Sequence, residues 1–303
     1  MRAVFSLLAF SLLITTTTFA GAFHHPPTIG FSQGYTPLFG DFNILRWPDD
    51  RTVSLLLNRH SVSGFLSSDY YNYGLFGARI ELPSNYTAGI VVAFYEIRGR
   101  PWWFQTNLSG NGSTSRGREE RYTLWFDPTQ DFHCYSILWT STNIIFYVDE
   151  VPIREVKRSE AMGGDYPSKP MSLYATIWKA SNWASEGGKY KVNYNYQPFA
   201  AHFTDLVLQG CAVHYLQQAP TVGTQCSDVN VMAAVTPAGQ KAMSWFREKY
   251  MDCSYCYDAV RYPEPPPEFV VLPAERRRFK DTGRLREGLR MRFRRPLSPR
   301  AGG

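Results

Sequence analysis

Between residues 30 and 210, apolar and polar positions alternate in short runs rich in Val, Ile, Phe, Tyr and Thr, each broken by clusters of Gly, Pro, Asn and Asp. Alternation with a period of two predicts half-buried β-strands. Strands are expected at 52–57, 78–82, 89–95, 102–107, 122–126, 136–139, 144–148, 171–177 and 203–209. Strands at this spacing predict a jelly roll or related β-sandwich. Two apolar runs flank Asp149-Glu150, which reads as a hairpin. After Cys211 the alternation gives way to a polar loop through Cys226. Thr236-Pro237 then opens a helix over 238–250, on which Met243, Phe246 and Tyr250 fall at i, i+3 and i+7. The run Tyr262-Pro263-Glu264-Pro265-Pro266-Pro267 is expected to end regular structure.

A length of 303 residues allows one large domain or two small ones. The aromatic share of 16%, with 8 Trp, 19 Tyr and 20 Phe, excludes a chain disordered throughout. The net charge of +6 is local: residues 276–303 hold 11 Lys and Arg against Asp281 and Glu287, a balance of +9 that leaves the body at −3. Nucleic acid is therefore not an expected partner. The tail, poor in core formers, is expected to be a disordered, solvated extension whose charge could attract an acidic polysaccharide.

Arg2, the apolar run 4–14, four Thr at 15–18 and Ala20-Gly21-Ala22 compose a secretory signal peptide over residues 1–22, and the mature chain has no run long enough to cross a membrane. Secretion makes disulfides the expected state of cysteines. Cys134, alone in an apolar stretch, reads as a small buried hydrophobe, and no redox βαβ pattern surrounds Cys253 and Cys256. Asn85, Asn107 and Asn111 each begin an N-x-S/T glycosylation acceptor.

The segments Gly64-Phe65-Leu66-Ser67-Ser68, Ala78-Arg79-Ile80-Glu81-Leu82-Pro83, Leu124-Trp125-Phe126-Asp127-Pro128, Val148-Asp149-Glu150-Val151-Pro152-Ile153-Arg154 and Lys169-Pro170-Met171-Ser172-Leu173-Tyr174-Ala175-Thr176-Ile177-Trp178 carry a resemblance. They resemble the plant xyloglucan endotransglucosylase/hydrolase family, within glycoside hydrolase family 16, and the likeness runs from Tyr35 to Gly283, closest to the long-tailed subgroup. It implies an all-β, concanavalin-like jelly-roll sandwich over 23–210 and a short α-containing C-terminal extension over 211–275. It implies a monomer without cofactor or metal, secreted to the apoplast and cell wall. There it would act on xyloglucan polysaccharide and oligosaccharide, remodelling the wall by retaining glycosyl transfer.

In the family, the strand after V-V-A-F-Y leads to H-D-E-[I/L]-D-F-E-F-L-G, whose two glutamates act as nucleophile and acid/base. Here Phe94-Tyr95 runs directly into Glu96-Ile97-Arg98-Gly99-Arg100-Pro101-Trp102, and no E-x-D-x-E occurs in the chain. About twenty residues have gone, so no catalytic residue is assigned. The concave sheet is expected to lose a middle strand and to be left with a connection problem at the junction. Glu119 and Glu120 are adjacent and would point to opposite faces of a strand.

The binding side resembles the family better. Gln105, Thr106 and Asn107 match its Q-T-N, Arg118 and Glu119 match part of D-R-E with Gly117 in place of the Asp, and Trp183, Ala184 and Gly188 match an acceptor-side element. Arg261 joins the glycan-contacting set on the same resemblance, and Trp178 offers a flat stacking face. Lys179 replaces the usual Asp. Trp125 and Trp139, in apolar runs, read as core. The resemblance pairs Cys211 with Cys226, while Phe269 stands where the last family cysteine would be, leaving Cys256 to pair with Cys253 or one thiol free. The chain thus reads as a catalytically impaired family member, with a non-catalytic xyloglucan-binding sandwich, or a mis-spliced product of an active gene, as alternatives.

Overall fold

The computed structural model describes residues 26–92, 95–96, 103–110, 117–182, 188–213, 234–269 and 271–286. These form two antiparallel sheets packed face to face. One, nine-stranded, runs in the order β1 (Tyr35–Phe39), β4 (Ser63–Ser67), β13 (Tyr174–Lys179), β6 (Ile90–Val92), β7 (Tyr95–Glu96), β8 (Trp103–Thr106), β9 (Glu120–Thr123), β15 (Met251–Asp258) and β16 (Thr282–Arg284). The other, seven-stranded, runs β12 (Val151–Lys157), β11 (Asn143–Val148), β10 (His133–Trp139), β5 (Tyr70–Glu81), β14 (Phe199–Val213), β3 (Val53–Leu57) and β2 (Ile44–Arg46). The all-β sandwich expected from the alternation is present, and each expected strand coincides with all or part of an observed one.

Between the sheets lies a core of inward-facing positions such as Leu55, Phe65, Ile80, Phe104, Tyr122, Ile153 and Phe203. Every residue of β11 is buried, because the outer face of its sheet is covered as well: Ile145 and Tyr147 join Leu75, Leu138 and Val207 under Val235. The hairpin between β11 and β12 turns on Asp149 and Glu150, both with positive φ, the backbone a tight two-residue turn demands. The Asp149 carboxylate also accepts from the Cys134 amide at 2.8 Å and lies 2.7 Å from His133 Nδ1.

The expected helix is α2 (Pro237–Tyr250), following the short α1 (Phe31–Gly34). Thr236 caps it by accepting from the Gly239 amide, and Pro237 sits in its first turn, where a missing N–H costs nothing. Of its predicted apolar face, Phe246 is fully buried and Tyr250 packs at the core's edge, while Met243 is only half-buried.

Three sequence expectations are corrected. The boundary at 210/211 falls inside β14, which pairs with β5 on both sides of it. The chain after Tyr262 does not stop forming regular structure: α3 (Pro273–Arg276) leads into β16, which pairs with β15. The tail from 276 onward is ordered as far as Arg286, because its two apolar residues there, Phe279 and Leu285, enter the core, Phe279 stacking on Tyr257 at 4.8 Å. The extension therefore completes the nine-stranded sheet. The signal-peptide segment lies outside the described residues.

Candidate functional site

The outward face of the nine-stranded sheet is the candidate site, and strand alternation decides which residues reach it. On β8 and β9, Phe104 pairs with Tyr122 and Thr106 with Glu120, and all four are buried in the sandwich. Gln105 therefore faces outward opposite Arg121. The Gln105 Oε1 is itself buried and has no hydrogen-bond partner. Asn107, just past the strand, is exposed. On β13, Tyr174, Thr176 and Trp178 share the outward face, with Tyr174 47% exposed. Phe39, 40% exposed, lies across Gly64 from Thr176, where a side chain at 64 would collide with both. Beside Trp178 opens a cavity of about 470 Å³, edged by Lys179, Asn182, Lys191 and Tyr194.

Two residues of the expected glycan-contacting set are instead committed to the interior. Thr106 receives a hydrogen bond from Arg154 Nη1 at 2.7 Å. Arg118 is buried, donating to Glu268 at 2.5 Å and Asp165 at 3.0 Å, while its own carbonyl accepts from Arg154. Burial of a charged or hydroxyl group requires such partners, and both side chains point into the sandwich rather than to its open face. Glu119 is ion-paired with Arg121 at 2.5 Å, and Arg261, half-exposed, with Asp258 at 2.6 Å. Gly188 has a positive φ, and a Cβ on it would meet the carbonyls of Ser181 and Asn182 at 2.8 Å, so its role is to close the loop. Trp183, Ala184 and Asn111 lie outside the described residues. Of the other glycosylation acceptors, Asn85 and Asn107 are both exposed.

The acidic side chains nearest the site are all engaged. Glu120 is buried and bound by Arg247 of α2 at 2.7 and 3.0 Å, by Ser254 at 2.7 Å and by the Tyr122 hydroxyl, with Arg154 Nε at 3.4 Å. Burial by itself would raise its pKa, but the two guanidinium charges and these hydrogen bonds outweigh that and hold it at about 2. It is a structural anion. The strand between β6 and β8 is two residues long: Val92 pairs with Tyr95 and Val91 with Glu96, and these pair with Phe104 and Trp103. The sheet thus closes directly across the junction where a connection problem was expected.

Sequence reasoning passed over Tyr174, Thr176 and Phe39. The Tyr-x-Thr-x-Trp alternation within 174–178 was the available signal for the first two.

A sandwich whose open face carries aromatic and amide side chains in a row is the architecture of a glycan-processing β-jelly roll. Residues 31–196 match the profile of glycosyl hydrolases family 16, and residues 225–268 that of the xyloglucan endo-transglycosylase C-terminus. The chain is 52% identical, over 295 residues, to the Arabidopsis thaliana protein named "Probable xyloglucan endotransglucosylase/hydrolase protein 30", covering 89% of this chain and 85% of that one. It is 38% identical over 260 residues to xyloglucan endotransglucosylase/hydrolase protein 2 of the same plant, covering 79% and 88%. Among solved structures, the Crh5 transglycosylase in complex with NAG aligns at 19% identity over 58% of this chain and 77% of that chain, with a TM-score of 0.48. The chain belongs to the xyloglucan endotransglucosylase/hydrolase family.

Proposed function

We propose that this family member is secreted to the cell wall and retains weak xyloglucan binding on its concave face while being unable to carry out retaining glycosyl transfer. The observation that carries this reading is the length of β7. A nucleophile and an acid/base with an aspartate between them need alternate positions i, i+2 and i+4 of one strand, and Tyr95–Glu96 supplies two residues. No carboxylate pair replaces them at Glu119 or among the described residues of β8, β9 and β15: Glu119 is tied to Arg121, Glu120 to Arg247 and Arg154, and Asp258 to Arg261, while Asp252 is buried. In support of the reading, the alignment with the 52% relative runs over 295 positions against 89% of 303, about 270, so about 25 of its positions have no counterpart in this chain. The second reading, a product of altered splicing, is distinguished by sequencing transcripts across the codons for Tyr95 and Glu96.

Binding is assigned to Gln105 and Asn107, to stacking on Tyr174 and Trp178, and, on the family resemblance, to Trp183. The test joins two measurements on the secreted chain. With labelled xyloglucan oligosaccharides, neither transfer nor hydrolysis rises above background. In xyloglucan affinity gels, a small retardation persists at high salt and is lost in Trp183→Ala. Turnover that survives Glu96→Gln and Glu119→Gln overturns the catalytic half. Retardation that is unchanged in Trp183→Ala but abolished by salt transfers the binding to the basic tail.

A further inference from the structure

Among the described residues, the inner face of the seven-stranded sheet is incompletely roofed. The row Ile177, Val92, Tyr95, Phe104 runs unbroken across β13, β6, β7 and β8. One step further along, β13 continues through Thr176, Ala175 and Tyr174, and β8 through Gln105 and Thr106, with no strand between them among the described residues. Where these two strands reach their ends, a cavity of about 160 Å³ opens into the sandwich. Its rim includes Leu108, just past β8, and Leu173, just before β13; its floor is Phe76, Ile137, Trp139, Ile144 and Phe146, all inward-facing residues of β5, β10 and β11. Ile137, on the inner face of a middle strand, is only half-buried, so the floor is reached from outside.

The chemistry of the lining selects a ligand. Among the described residues no charged side chain borders the cavity, and its polar side chains, Asn107 and Ser172, stand at its edge. The Trp139 indole N–H is already donated to the Pro167 carbonyl at 3.0 Å, so this residue offers only its ring. An apolar cavity of roughly 150 Å³ admits a benzene-sized ring. A sugar of similar size would bury hydroxyls without partners, and an anion would be desolvated without compensation.

We propose that this cavity binds a neutral, single-ring phenol, its ring against the Ile137, Ile144 and Phe146 floor and its hydroxyl at the Asn107 and Ser172 edge. The site lies beneath the glycan-binding face, shares Asn107 with it and takes a different class of molecule.

The probe is 4-fluorophenol, followed by ¹⁹F NMR with the full secreted chain, with 4-fluorobenzoate as the charged control. Expected are saturable broadening of the phenol signal, a rise in melting temperature with phenol, and no response to the benzoate. Ile137→Phe fills the floor and Leu173→Phe the rim, and either should weaken phenol binding at least tenfold. Should Ile137→Phe fail to fold, Leu173→Phe decides, and in the wild-type chain ring-to-methyl Overhauser effects from Ile and Leu give the same answer without any substitution. The proposal is overturned by no saturable binding to the folded chain, by equal binding of the benzoate, or by unchanged affinity in a folded filling variant.

Discussion

Glu120 joins three parts of the chain: it sits on β9, Arg154 reaches it from the opposite sheet and Arg247 from α2. Its carboxyl, ordinarily near 4.5, is held at about 2. Because the folded value lies below the unfolded one, the stabilisation is complete above about pH 4.5 and is lost as pH falls toward 2, a change of about 3 kcal/mol. Thermal unfolding from pH 6 to 2 should show a melting temperature falling across that window. Glu120→Gln, which leaves two buried guanidinium groups without their anion, should be destabilised by roughly 3–5 kcal/mol at neutral pH and flatter in acid. The sequence placed Glu119 and Glu120 on opposite faces, which holds, but a ring of partners drawn from residues 122, 154, 247 and 254 has no local signature. The cysteines make a second residue-scale test. Cys134, Cys253 and Cys256 are free thiols, the first two pushed by burial up to about 11 and Cys256 also raised by burial. With the Cys211–Cys226 bridge that the family resemblance implies, these three are the thiols that remain. Thiol titration without reductant should count three groups in denaturant and none reacting rapidly at pH 7.5 in the folded chain.

At the scale of elements, legibility followed amphipathicity. The strands between 52 and 209, with one face in the core, were readable from alternation, and α2 from its cap and apolar spacing. β15 was not: all eight of its residues are buried, including the polar Asp252, Ser254 and Asp258 that share one face, and its cysteines raised the question of redox chemistry instead. β16 was hidden for the opposite reason, since Thr282–Arg284 is polar and owes its place to the flanking Phe279 and Leu285. Composition averaged over a basic tail cannot register two anchors. Phe279 is fully buried, so Phe279→Ala should cost about 3–5 kcal/mol in urea unfolding. Trp245→Ala, at a half-exposed position on α2, should stay within roughly 0.5 kcal/mol. A small effect at Phe279 would mean that the chain beyond 276 contributes little to the fold.

Taken as a whole, the molecule is two sheets of unequal integrity. The seven-stranded sheet has long central ladders, β5 of 12 residues and β14 of 15, joined by extensive pairing. The nine-stranded sheet narrows to β6 of three residues and β7 of two at its centre, beside the cavity. A ladder with so few hydrogen bonds is opened by breaking few contacts, so the centre of the concave sheet should be the low-stability part of the structure. Hydrogen exchange on the native chain should show the amides of Ile90–Val92 exchanging at least tenfold faster than those of Leu75–Ile80, a gap of about 1.4 kcal/mol in opening free energy. Inserting a family-type hairpin carrying E-x-D-x-E between Tyr95 and Glu96 should narrow that difference, because its inward side chains would roof the floor at Ile137 and Phe146. On the proposed reading it should also confer xyloglucan transfer. Protection gained without activity would count against the proposed reading that the absence of an E-x-D-x-E strand prevents transfer, and activity gained without protection would separate the cleft's chemistry from the stability of its sheet.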